Sequence, residues 1–374
     1  MSWTADDHRH MARALRLAER GLYTTEPNPR VGCVLVKDGA VVGEGFHLRA
    51  GEPHAERLAL AAAGEAARGA TAYVTLEPCC HHGRTPPCTD ALIAAGVAAV
   101  VSAMRDPNPR VAGQGHARLQ AAGIAVRSGL MADEARALNP GFVRRMEGGR
   151  PHVRCKLAAS LDGRTAMASG ESRWISSEAS RRDVHRLRAR SSAIVTGIDT
   201  VLADDPSLNV RLGPGDLPGV ERVAEIRQPL RVVLDSRLRC PPTARLLALP
   251  GETAVLCVEE PAEPRAALVA AGATVVRLPA GEGRVSIAAA LAWLAAREAN
   301  EVLLETGPTL AGAALQAGLV DELIVYLAPH LMGDGARGLF RLPGLARMAE
   351  RIALEIVDLR QVGPDLRIMA RISG

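Results

Sequence analysis

The chain has 374 residues and a mass of 39.4 kDa, more than one ordinary hydrophobic core holds, so two domains are expected. With 48% hydrophobic and 23% charged residues it has a globular composition, and a net charge of +4 is too slight and too interspersed for a nucleic-acid-binding surface. No apolar run reaches the roughly 20 residues that span a bilayer. The charged opening MSWTADDHRHMARALRLAERG lacks a signal-peptide apolar region, so a cytoplasmic protein with no membrane partner is expected. In that compartment the seven cysteines read as thiols or metal ligands rather than disulfides.

Residues 5–20 carry apolar positions near helical spacing and predict a helix ending at Gly21. VGCVLV, a Lys-Asp-Gly turn and AVVGEG predict a β-hairpin over 31–45. An alanine-rich helix begins near Pro53, TAYVTL (71–76) reads as a buried strand, TPPCTDALIAAG as a loop feeding a helix, and VAAVVSAM as the next strand. This alternation predicts a three-layer α/β domain. A second pass begins after Gly148-Gly149-Arg150-Pro151, so the halves are cut at 1–148 and 149–374. HVRCKLAASLDG, AIVTG, LRVVLD, TAVLCV, ATVVRL, EVLLE and ELIVYLAP read as strands. Helices are expected at SEASRRDVHRLRARS, SIAAALAWLAAREA and after TGPTLAG, with 213–228 a surface loop. Cys33, Cys155, Cys240 and Cys257 sit in apolar runs and read as core; Trp293 reads as helix packing.

His54-Ala55-Glu56 opens a predicted helix, and Pro78-Cys79 and Cys88 follow downstream. One imidazole and two thiolates form a three-ligand zinc set that leaves a fourth position for water, the catalytic pattern. Zinc lowers the pKa of such a water to about 7. Glu56, two residues from His54, can move a proton from that water to a leaving amine. The H-x-E…P-C pattern is that of zinc-dependent base deaminases, although eight residues rather than two separate Cys79 and Cys88 here. Cys80, His81 and His82 lie in that interval as competing ligands. Cys88 is preferred because it starts a helix, whose amides stabilise a thiolate. A fourth protein ligand from this interval would make the site structural, and Glu56 would then have no role.

NPRVGCVLV, GEPHAE and TLEPCCHHGRTPPC together resemble the deaminase domain of the bacterial bifunctional riboflavin biosynthesis deaminase–reductases. The resemblance implies a cytidine-deaminase-like fold, one zinc ion per chain, and Asn28 and His47 in the pyrimidine–ribose pocket. From the residues alone, Asn28 between two prolines is either a stiffly held reader of a heterocycle or a turn residue. His47 is either a solvated loop histidine or a substrate contact.

The second half has no G-x-G-x-x-G; Gly213-Pro214-Gly215 and Gly281-Glu282-Gly283 lack the spacing. The better phosphate cradle is Gly307–Ala313, between strand EVLLE and a helix whose first amides can bind an anion. Of 45 basic residues only Lys37 and Lys156 are lysine, so Lys156 within a strand suggests a need for an ammonium that can share its proton; an edge-strand lysine facing solvent is the other reading. Trp174 stands in a polar loop. KLAASLDGRTA, GESRWIS, DTVLADDPSLNVR, LDSR and ETGPTLAGA are similar to the reductase domain of the same family. That domain is dihydrofolate-reductase-like and uses NADPH. The resemblance implies NADPH contacts at Ala158, Trp174, Thr200, Asp204, Ser236, Gly307, Pro308, Thr309, Leu310, Ala311, Gly312 and Ala313. It implies substrate contacts at Ser172, Arg188, Leu208, Arg211 and Glu305, with the arginines on the ribose phosphate and Lys156 and Glu305 near the reacting sugar. The implied substrate is a phosphorylated pyrimidine that is first deaminated, then reduced at its ribosyl carbon; the sequence leaves open whether the chain forms a homo-oligomer.

Overall fold

A computed structural model describes residues 2–81, 86–213, 215–220 and 226–373; His82 and Pro214 lie outside them. Two compact units result, Met1–Gly149 with Gly213–Ile226, and Arg150–Leu212 with Arg227–Gly374. Residues 213–226, expected as a surface loop of the second half, group with the first unit.

In the first unit, α1 (Ala5–Glu19) opens with a reciprocal cap. The Asp7 amide donates to the Thr4 hydroxyl at 3.0 Å and the Thr4 amide donates to the Asp7 carboxylate at 2.9 Å. Its buried face is Met11, Ala14, Leu15 and Ala18. The hairpin is β1 (Gly32–Lys37) and β2 (Ala40–Phe46). Its turn residues Asp38 and Gly39 both have positive φ, 50° and 76°, which matches the twist of paired strands. With β3 (Thr71–Val74), β4 (Ala99–Ser102) and β5 (Ala125–Ser128) the sheet order is β2-β1-β3-β4-β5. The hairpin strands are antiparallel and β3, β4 and β5 run parallel. Helices α2 (Ala55–Ala63), α3 (Cys88–Ala95) and α4 (Gln114–Ala121) meet in series. So do α1, α5 (Ala132–Leu138) and α6 (Pro140–Gly148), which gives the expected helical layers. Gly43 and Gly45 set α2 directly on β2: an added Cβ would lie 2.3 Å from the Ala59 carbonyl oxygen and 2.7 Å from that of Ala55.

The second unit is built on nine strands. They are β6 (His152–Ser160), β8 (Ala193–Gly197), β9 (Leu230–Leu234), β10 (Thr253–Cys257), β11 (Thr274–Arg277), β14 (Glu301–Glu305), β15 (Glu322–Ala328), β17 (Leu354–Val362) and β18 (Asp365–Ile372). Their order is β11-β10-β9-β8-β14-β6-β15-β18-β17, and every neighbouring pair is parallel except β15-β18 and β18-β17, so β18 alone runs against the rest. Two small ribbons pair β7 (Arg164–Ala166) with β16 (Arg337–Gly338) and β12 (Ala280–Gly281) with β13 (Arg284–Val285). The helices are α7 (Glu178–Arg190), α8 (Ile198–Asp204), α9 (Arg245–Ala248), α10 (Ala262–Ala270), α11 (Ile287–Ala296) and α12 (Pro308–Gln316). The strand β6 lies between β14 and β15, so Lys156 is central in the sheet and the edge-strand reading falls. Cys33, Cys155, Cys240 and Cys257 are buried, and Trp293 packs against the core.

Candidate functional sites

The first site forms where α2 and α3 begin. His54 is the N-cap of α2 and Cys88 the first residue of α3. The His54 Nδ1, Cys79 Sγ and Cys88 Sγ atoms all lie within 4.8 Å of one another, the one such cluster among the described residues. Nδ1 is 3.6 Å from Cys79 Sγ and 3.4 Å from Cys88 Sγ. An imidazole and two thiols at this spacing fit a zinc ion with a position to spare. The first amide of α3, that of Cys88, donates to Cys79 Sγ at 3.3 Å, so the helix terminus serves Cys79 rather than Cys88 as the sequence suggested. Hydrogen bonds from Cys88 and His54 hold the Cys79 thiol below its ordinary pKa. Burial pushes the neighbouring Glu56 carboxyl up, and Cys79 adds to the shift. Glu56 is 3% exposed and its side chain hydrogen-bonds Cys88, the place a proton carrier needs.

His47 is buried, and its ring meets that of His54 edge-on at 5.1 Å. Its Nδ1–H donates to the Pro53 carbonyl at 3.3 Å while Nε2 accepts from Asn28 Nδ2 at 3.1 Å. That pattern uses a neutral ring, and burial lowers its pKa to about 4. Asn28 and His47 are therefore one unit beside the cluster, and the solvated-loop reading of His47 falls. Glu77 went unread in the sequence. Its buried carboxylate accepts from the amides of Asp106, Gly113 and His116 at 3.1, 2.9 and 3.1 Å, which anchors the chain two residues before Cys79. Only fold closure brings those amides together.

The second site is a cleft of about 2810 Å³ in the second unit, across the C-terminal ends of the parallel strands. Ala158, Ser172, Trp174, Arg188, Thr200, Asp204, Leu208, Arg211 and Ser236 line it, as do Lys156, Glu305, Gly307–Leu310 and Ala313. Two of the expected contacts, Ala311 and Gly312, are not among the residues that line it. Ala311 is fully buried in the core and Gly312 packs on the Arg341 carbonyl, because both lie on the face of α12 turned away from the cleft that Leu310 and Ala313 line. Gly307 is the N-cap of α12, and an added Cβ there would meet nothing within 4 Å, so the first amides of the helix are open to an anion. The cradle and the cleft fit a dinucleotide.

Lys156 and Glu305 stand side by side in register on β6 and β14. Burial lowers the Lys156 ammonium, against the pull of Glu305. Burial works to raise Glu305, and the Arg188 fork, at 2.6 and 2.9 Å, outweighs it. Arg188 is thus held by Glu305 and by the Asn209 carbonyl at 3.1 Å, while Arg211 is exposed beside Asn209. His185, missed in the sequence, accepts the Arg211 amide at 3.3 Å and lines the cleft; burial, then Arg188 and Arg211, lowers it to about 4. Nothing in its helical spacing separates it from a core histidine. Trp174 is 71% exposed, with the Arg181 guanidinium 4.5 Å from its ring. Beneath Lys156, 5.9 Å from its Nζ, lies the ring of Tyr326, whose hydroxyl donates to Asp183 at 2.7 Å.

Residues 4–104 match the family described as "Cytidine and deoxycytidylate deaminase zinc-binding region", and residues 151–368 match "RibD C-terminal domain". Fold and sites thus define a two-domain enzyme that joins a zinc-dependent deaminase to a dihydrofolate-reductase-like, NADPH-dependent reductase. The riboflavin biosynthesis protein RibD of Escherichia coli (strain K12) is 55% identical over 362 residues, 96% of this chain and 98% of that one. The structure of Acinetobacter baumannii RibD, form 1, has a TM-score of 0.91 at 46% identity, covering 99% of both chains. A Thermotoga maritima protein described as a diaminohydroxyphosphoribosylaminopyrimidine deaminase/5-amino-6-(5-phosphoribosylamino)uracil reductase has a TM-score of 0.84 at 32% identity, covering 98% of this chain and 99% of that one. The chain belongs to the RibD family, the bifunctional deaminase–reductases of riboflavin biosynthesis.

Proposed function

We propose that residues 1–148 deaminate 2,5-diamino-6-(5-phosphoribosylamino)pyrimidin-4-one and that residues 149–374 reduce the ribosyl group of the resulting aminouracil to ribityl. The description of the Thermotoga maritima relative supports this substrate. The observation that carries the reading is the His54–Cys79–Cys88 cluster with the buried Glu56 carboxyl hydrogen-bonded to it.

His54, Cys79 and Cys88 would hold the zinc, which supplies Lewis acidity to a water when bound. Glu56 takes a proton from that water and returns it to the departing amine nitrogen, released as ammonia; its raised pKa suits both directions. Asn28 and the neutral His47 hold the heterocycle. In the second site the Gly307–Leu310 turn, Ala158, Trp174, Thr200, Asp204, Ser236 and Ala313 would hold NADPH, which supplies a hydride. Arg211, Ser172 and Leu208 hold the phosphorylated sugar. Lys156 protonates the sugar-ring oxygen as the ring opens, and Glu305, fixed by Arg188, stabilises its ammonium. The substrate is a small molecule in the cytoplasm rather than a nucleic acid or a membrane lipid. Among the described residues no helix is long and apolar enough to cross a membrane.

The test is to incubate the purified chain with the diamino substrate, with and without NADPH, and to identify products by mass. The expected results are exchange of an amine for an oxygen in both cases, and addition of two hydrogens only with NADPH. An unchanged substrate would sink the reading.

A further inference from the structure

We infer that Tyr326 is a positioning residue of the reductase site: the face of its ring carries the Lys156 ammonium, and the polar groups behind it hold that ring in place. The inference rests on the proposed role of Lys156 as proton donor. Register puts both residues on one side of the sheet. Lys156 of β6 stands opposite Glu305 of β14 and Ile324 of β15, and Tyr326 is two residues beyond Ile324. Residues at that spacing share a face, and such a diagonal neighbour is within reach of an aromatic ring. The Lys156 Nζ lies over the Tyr326 ring, 5.9 Å from its centre, where the negative face of the ring attracts a cation. Tyr326 is fully buried and does not line the cleft, so it acts on a substrate only through Lys156.

The ring is fixed from three elements. Its hydroxyl donates to Asp183 of α7 at 2.7 Å. Arg367, opposite Tyr326 on β18, donates to the same carboxylate at 2.7 Å and to Asp358 of β17 at 3.0 Å. Val184, Leu187 and Leu208 share its apolar cluster. The charges around Lys156 explain why a ring suits this place. Glu305 favours the ammonium, but its carboxylate is forked by Arg188, whose own charge opposes the ammonium; Cys155 precedes it in the strand. A second carboxylate would hold the proton in a salt bridge. A ring face attracts the charged form yet accepts no proton, so Lys156 stays both charged and able to donate.

The chain's two lysines, Lys37 and Lys156, make the test direct. Lysine labelled with carbon-13 at Cε gives one resonance for each, and Lys156→Arg shows which is which. Tyr326→Phe keeps the ring face and is expected to leave the Lys156 titration in place. Mono-, di- and trifluorinated phenylalanine at position 326 then draw electron density from that face with little change of size. The Lys156 titration is expected to step to lower pH along the series, by about half a pH unit in all, a roughly threefold change in its ionisation. The alkaline limb of reductase kcat/KM should follow it, with KM for the phosphorylated substrate, circular dichroism and deaminase rate unchanged. A titration that stays put along the series overturns the inference and leaves Lys156 as donor. A titration that moves while the reductase limb does not overturns the donor role of Lys156, and the positioning role of Tyr326 with it.

Discussion

In the proposed reaction, Glu56 is the residue on which deamination turns. Its carboxyl is buried, raised, and bonded to Cys88 rather than to solvent. Glu56→Gln keeps the size and the hydrogen bond but cannot carry a proton. The expected outcome is a chain that still holds zinc, with deaminase kcat lowered roughly 10²–10⁴-fold; metal analysis beside a rate assay checks it. In the second site Lys156 sits below its ordinary pKa because burial disfavours its charge. As a proton donor it is competent below that lowered value and fails above it. Reductase kcat/KM should thus fall as pH rises through the lowered value, and Lys156→Gln should lose both rate and that limb. An alkaline limb that persists in the variant would move the donor elsewhere. Arg211 is exposed, whereas Arg188 is forked to Glu305. Arg211→Ala should raise the reductase KM for the phosphorylated substrate about tenfold with little change in kcat, since one charge-assisted hydrogen bond is worth about 1.5–3 kcal/mol.

At the scale of elements, the zinc cluster depends on how closely α2 approaches β2. Gly45 leaves no room for a side chain: an added Cβ would stand 2.6 Å from the Leu58 Cβ. Gly45→Val should push α2 outward and weaken zinc retention without touching a ligand, which competition with a chelator would measure. In the second unit β6, β14 and β15 are tied at their N-terminal ends by buried charges. Arg154 bridges Glu301 and Glu322, and Arg150 grips Asp321 at 2.6 and 2.8 Å. Burial would raise Glu322, but hydrogen bonding to His152 and the Arg154 charge pull it down to about 2. A carboxylate depressed on folding stabilises fully above its unfolded pKa, about 4.3. That contribution drains away as pH falls from there towards 2. Thermal melts between pH 6 and 2 should show the loss, and Glu322→Gln should flatten it.

For the whole molecule, the prediction concerns independence. Each site is assembled within one compact unit. Cys88→Ser should therefore abolish deamination while reduction of supplied aminouracil with NADPH continues. Parallel loss of both activities, measured on the same preparation, would contradict separate sites.

Much of this was legible in the chain of residues. His54, Glu56, Cys79 and Cys88 advertise themselves because metal chemistry restricts residue types, and ligands at helix starts keep short, readable spacings. The alternation of apolar runs with turn residues marked most strands for the same local reason, and lysine's scarcity pointed to Lys156. The helix α8 went unread beside DTVLADDPSLNVR because seven residues with only Ile198 and Val201 buried leave too short a period. The terminal hairpin carries apolar residues on an open face, so its pattern resembles no buried strand. Which thiol receives the α3 amide, the service of Arg188 to Glu305, the neutral His47–Asn28 pair, and the turning away of Ala311 and Gly312 were decided by tertiary structure alone. Each depends on distances between segments far apart in the chain, and those distances exist only once the sheets have closed and the helices have docked.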